Sequence, residues 1–184
     1  MRHLHRIVSD GNTFRRASAL VPGIDLGWLP LAEVRGRTHK AAARLTGTGR
    51  VLNFGCDHGL AVDQRANENS DAVSLRCISM LRPSMIAYLL SRRLADGVVL
   101  TGCREGQCNY RVGQRWTEER INGLRDPQLQ GRVPRKRIVL IWAAPIERKR
   151  VEREMQNFRH RLQALALPSP DVQPEQRVAE TLAK

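Results

Sequence analysis

The chain has 184 residues, enough for one domain with extensions and a substantial core, and it contains no apolar run of the roughly 18 residues needed to span a membrane. Its amino terminus, MRHLHRIVSDGNTFRR, lacks a signal-peptide stretch, so the four cysteines are read in a reducing, cytoplasmic setting, where thiols act as ligands or redox groups. The net charge is +13, but the arginines are spread along the chain and mixed with glutamate, with no helix-turn-helix, finger or aromatic ladder. This pattern fits docking on acidic partner subunits and no nucleic-acid partner is expected.

In chain order, residues 1–48 read as an irregular arm. Pro22, Gly23, Gly27 and Pro30 interrupt its apolar piece, and Trp28 and Leu31 serve as anchors. Within the arm, Thr38 to Leu45 is expected to make a short helix, with Thr38 as its cap and Gly47 as its stop. The ordered domain, residues 49–144, opens with a strand from Arg50 to Phe54 that leads to Gly55-Cys56. A second strand, Ala72 to Arg76, ends at Cys77. Pro83 then starts a helix with Ile86, Leu89, Leu90 and Leu94 on one face and Gly97 as its cap. The third strand, Gly97 to Thr101, completes a β-helix-β unit with parallel strands.

Beyond it, Thr117 is expected to cap a short helix with Glu118 and Glu119 in its first turn. RIVLIW, Arg137 to Trp142, reads as a central strand buried on both faces. Val151, Met155, Phe158, Leu162 and Leu165 recur at four-three spacing, so residues 145–167 form an amphipathic helix on the domain or on a partner. Residues 168–184 read as a mobile tail. The fold class is therefore α/β: a small parallel sheet of about four strands flanked by helices, with cysteines at the strand carboxyl edge.

That edge carries the chemistry. Cys56, Cys77 and Cys103 each follow a predicted strand, and Cys108 lies on the same loop as Cys103 in GCREGQC. Parallel neighbours bring strand ends together, so the four sulfurs are expected to share one metal site rather than to be four buried free thiols. Gly55, Gly102 and Gly106 free the backbone to turn amide N–H groups toward a bound group. Structural zinc and an iron–sulfur cluster both use four cysteines. No CxxC knuckle or CxxCxxC run is present, and the wide spacing favours a 2Fe–2S cluster. Arg104 beside such a cluster would favour its reduced form, and His58 is expected as a hydrogen-bond donor rather than a ligand. A zinc-stabilised scaffold or nucleic-acid-binding module is the alternative, and a Cys103–Cys108 thiol sensor ranks last.

At VLNFGCDHG, VSLRCISMLRPSMI, ADGVVLTGCREGQCNYRVG and WTEER the chain resembles the delta subunit of methyl-viologen-reducing hydrogenase, over about Arg50 to Trp142. The resemblance implies that Cys56, Cys77, Cys103 and Cys108 ligate a 2Fe–2S cluster. It also implies an electron relay, with no active site of its own, within a larger oxidoreductase. Such a relay runs between a hydrogenase- or formate-dehydrogenase-like subunit and a heterodisulfide-reductase-like flavin and iron–sulfur protein, or a quinone-linked assembly to which it attaches peripherally. Some members carry a CCxxC arrangement at the first motif; this chain has only Cys56 there, so no spare ligand exists.

Overall fold

The computed structural model describes residues 29–60 and 67–166. The expected arm up to Trp28 and the tail 168–184 lie outside the described residues. Among the described residues, strands β1 (Val51–Cys56), β2 (Ser70–Leu75), β3 (Gly97–Gly102) and β4 (Ile138–Trp142) form one sheet in the order β2-β1-β3-β4. Every pairing is parallel; Asn53 lies opposite Ala72 on one side and Val99 on the other, and Leu100 lies opposite Leu140.

Because side chains alternate along a strand, the sheet supports a core on each face. Leu52, Phe54, Leu75 and Leu100 point to one face, where they pack with Val34 and Ala41 of α1 (Leu31–Ala43) and with Ile86 and Leu89 of α2 (Pro83–Ser91). Ile121 of α3 (Gly113–Ile121) closes the same core. Val51, Val99 and Ile141 point to the other face, under α4 (Arg148–Ala166). Most of the predicted stripe of α4 is thus spent on its own sheet: Val151, Met155, Phe158 and Leu162 are all buried there, whereas Leu165, its expected last member, is exposed. Each such side chain, fully buried, contributes roughly 1.5–3 kcal/mol. Gly97 lets this helix approach, since a methyl at that position would meet Leu162 at 2.4 Å and Phe158 at 2.7 Å.

Four expectations are corrected. β4 is an edge strand, not a central one, and only Ile141 of its five residues is fully buried. The unbroken apolar run misled because β1 and β3 occupy the centre, and both are buried along their whole length. The first helix starts at Leu31, not Thr38, and α3 starts at Gly113, not Thr117. Both threonines lie buried in mid-helix and donate to the carbonyl four residues back, Thr38 to Val34 and Thr117 to Gly113, each at 2.8 Å. A hydroxyl that caps from outside a helix can equally bond back within one, so the residue type alone does not mark the start. Finally, α2 is closed not by Gly97 but by Arg93 at φ 54°, with the Leu94 N–H donating to the Leu89 carbonyl at 2.9 Å. This is the left-handed closure usually given to glycine.

An ion pair ties the amino ends of β1 and β3 together, and Arg44 pairs with Asp71 near the start of β2 at 2.6 Å. The Arg50 guanidinium grips Asp96 at 3.0 Å, and Asp96 also accepts from the Arg50 amide at 2.8 Å. Burial pushes the Asp96 carboxyl up, but the hydrogen bonds and charge of Arg50, with the charge of Arg137, outweigh it and hold the carboxyl below its usual range. No helix among the described residues is long and apolar enough to cross a membrane.

Candidate metal centre

At the opposite end of the sheet, the strands stop where the cysteines begin. Cys56 is the last residue of β1, Cys103 follows the last residue of β3, and Cys77 lies just past Leu75, the end of β2. Cys108 returns from a tight turn in which the Gln107 N–H donates to the Arg104 carbonyl at 2.9 Å. Gly106 occupies the left-handed position of that turn at φ 74°, a conformation other residues adopt only with strain.

The sulfurs form a continuous run. Cys56 Sγ lies 3.9 Å from Cys103 Sγ and 3.4 Å from the Arg76 carbonyl oxygen, to which it donates, and it also interacts with the Cys77 sulfur. Cys77 and Cys108 meet over Gly113, the first residue of α3: a methyl there would stand 2.4 Å from Cys77 Sγ and 3.4 Å from Cys108 Sγ. Cys56, Cys77 and Cys103 are buried, while Cys108 is partly exposed. His58, the alternative ligand considered from the sequence, is exposed, its ring edge-on to Tyr110 at 5.5 Å.

Two thiols so close, cut off from water, cannot both ionise freely. The Cys56 S–H hydrogen bond pulls Cys77 down to about 6, against the cost of burial and with help from the Ser79 hydroxyl and amide. Cys56, which keeps the proton, is pushed up by that bond and by burial, and the His58 amide offsets part of this. Cys77 Sγ and Ser79 Oγ are 3.1 Å apart. Backbone and hydroxyl donors thus already face the sulfurs.

The donor set fits a thiophilic metal. Two thiolates at about 2.3 Å from one tetrahedral ion stand about 3.8 Å from each other, close to the Cys56–Cys103 separation. Among the described residues, no three His, Cys, Asp or Glu side chains stand as ready ligands of a single ion. A binuclear cluster held by four cysteines asks each iron for only a pair.

The other expected site residues are placed differently from the sulfurs. Gly55 belongs to the β1 ladder, opposite Ser74 and Thr101. Gly102 ends β3 beneath the Trp142 ring, which a methyl at that position would meet at 2.6 Å. Gly106 is exposed, with open space beside it. Arg104 is exposed beside a cavity of about 320 Å³ shared with Trp142, Glu147 and Arg150. Its charge joins the Ala144 amide and Arg150 in holding the Glu147 carboxyl below its usual range. Gly113 and Ser79 are the residues that sequence reasoning passed over. The glycine of NYRVG, a small residue close after Cys108, was the available signal for the first; nothing in the sequence distinguishes Ser79 from any other loop serine.

Comparison with known proteins places this geometry in context. No curated protein matches the chain. Residues 51–166 match the family described as methyl-viologen-reducing hydrogenase, delta subunit. The match begins with β1 and runs through α4, so the C-terminal helix, which the sequence motifs left outside the resemblance, lies within it. A four-stranded parallel α/β domain, matched from its first strand to its last helix, this chain belongs to the methyl-viologen-reducing hydrogenase delta subunit family.

Proposed function

We propose that the chain is an electron-transfer subunit that holds one 2Fe–2S cluster on Cys56, Cys77, Cys103 and Cys108. The carrying observation is the run of the chain's only four cysteines, three of them buried: Cys56 Sγ lies 3.9 Å from Cys103 Sγ, Cys56 also interacts with Cys77, and Cys77 and Cys108 both abut Gly113. The cluster would supply one-electron redox chemistry; the protein's own residues exclude water from three of the sulfurs and direct the His58 and Ser79 amides at them. Cys108, the partly exposed sulfur, lies on the side where His58, Asn109 and Tyr110 are open to solvent, and this is the surface offered to a redox partner. The partners are a hydrogenase- or formate-dehydrogenase-type subunit on one side and a heterodisulfide-reductase-like flavin and iron–sulfur protein, or a quinone-linked one, on the other. The family name supports the first of these.

Anaerobic purification tests the centre. Red-brown protein with about two iron and two sulfide per chain is expected, with a paramagnetic signal on one-electron reduction. Colourless protein with about one zinc would replace the relay with a zinc-stabilised scaffold.

A further inference from the structure

Next to the loop that carries Ser79, α3 holds a half-buried arginine, Arg120, with no carboxylate partner among the described residues. Arg120 Nη1 donates to the Ser79 carbonyl at 2.8 Å, and its Nε is buried without a hydrogen-bond acceptor. The carboxylates nearest in sequence are committed elsewhere. Glu119 pairs with Arg115 and Arg125, and Glu118 accepts from the Trp142 indole N–H. Burial and the like charge of Arg125 both push the Arg120 guanidinium down from its usual range, so the cation sits at a cost. A surface arginine would avoid that cost by turning into water.

Ser79 is also the residue that serves Cys77. It sits in the single turn Ile78–Met80, with its amide and hydroxyl both on the Cys77 sulfur. Gly113, the amino end of α3, abuts the same sulfur, so the positive end of the helix dipole points there too.

We propose that Arg120 is a positioning residue for the four-thiol centre: from α3 it holds the Ser79 carbonyl, which fixes the Ser79 amide and hydroxyl on Cys77. Its charge is balanced by the ligated thiolates rather than by a carboxylate. The inference rests on the proposed 2Fe–2S centre. A cation held close to a centre that becomes more negative on reduction stabilises the reduced form, so its removal lowers the midpoint potential.

The test is a potentiometric titration of the full-length, cluster-loaded protein, followed by its paramagnetic signal, with thermal unfolding as a control. Arg120→Met is expected to retain iron and shift the potential to more negative values, Arg120→Lys to restore most of it, and Ser79→Ala to shift it in the same direction as Arg120→Met. An iron-loaded Arg120→Met with the wild-type potential overturns the role of Arg120 alone. So does Arg120→Lys shifting as far as Arg120→Met. If Arg120→Met does not fold, Ser79→Ala decides: an unchanged potential overturns the relay through Ser79 and a lowered one supports it. Wild-type protein without iron overturns both this role and the proposed function.

Discussion

At the scale of single residues, the centre depends on a missing side chain. Gly113 lies where a methyl would overlap the Cys77 sulfur at 2.4 Å, and a sulfur already held by its neighbours has little freedom to retreat. If the proposed 2Fe–2S centre is present, Gly113→Ala is therefore expected to lose most of its iron while keeping the helical content of the wild type, which metal analysis and circular dichroism would read together. Gly106 makes the contrast. Its left-handed φ penalises a side chain by roughly 1–2 kcal/mol, but open space surrounds it, so Gly106→Ala should retain iron with a modest fall in stability. The proposed centre uses all four of the chain's cysteines and leaves no substitute, so on that proposal Cys108→Ser should cut iron content as deeply as Cys56→Ser, although Cys108 is the more exposed. Residual iron in Cys108→Ser alone would point to an exposed group, such as His58, replacing it. Three of the proposed ligands stood out in the sequence because Cys56, Cys77 and Cys103 recur near strand ends. Ser79 did not, because its importance comes from a contact with Cys77 and another with Arg120.

At the scale of elements, periodicity was a better guide than capping chemistry. The four-three spacing of Val151, Met155, Phe158 and Leu162 marked the buried face of α4, because an apolar stripe has to be covered wherever the helix lies. The stripe did not say what covers it; Val51, Val99 and Ile141 of the sheet do. Phe158, fully buried between these layers, is the element's anchor. Phe158→Ala is expected to destabilise the domain by about 3–5 kcal/mol in denaturant unfolding, with a cavity left against Gly97. A loss below about 1 kcal/mol would mean that α4 is not held to the sheet in solution. Thr38 and Thr117 failed as start signals for one reason: each hydroxyl bonds inside the helix that it was expected to open. β4 failed as a central strand because apolar content reports that a strand is covered, not how many neighbours it pairs with.

At the scale of the whole molecule, the sheet separates two ends: an ion-paired amino edge and a sulfur-lined carboxyl edge. At the amino edge Asp96 ties the start of β1 to the turn before β3, with Arg137 donating to the Asp96 carbonyl at 2.8 Å from just before β4. The folded-state pKa of Asp96 lies below its unfolded value, so its stabilisation is complete above pH about 4 and fades as the pH falls through the folded value. With both side chains about a quarter exposed, the pair is screened and contributes on the order of 1 kcal/mol. Asp96→Asn should unfold at lower denaturant than wild type at neutral pH, and the gap should narrow below pH 4; a constant gap would assign the loss to hydrogen bonding alone. The sequence by itself determined the strands, the α2 crossover, the stripe of α4 and the placement of cysteines at strand ends, since periodicity and residue spacing are local properties of the chain. The assembled fold alone shows that β1 and β3 are central and β4 is an edge, that α4 covers its own sheet, that Gly113 and Ser79 abut Cys77, and that Arg120 holds the Ser79 carbonyl. Those facts depend on which distant segments become neighbours, and parallel strands joined by crossovers leave that order unwritten in any single stretch of residues.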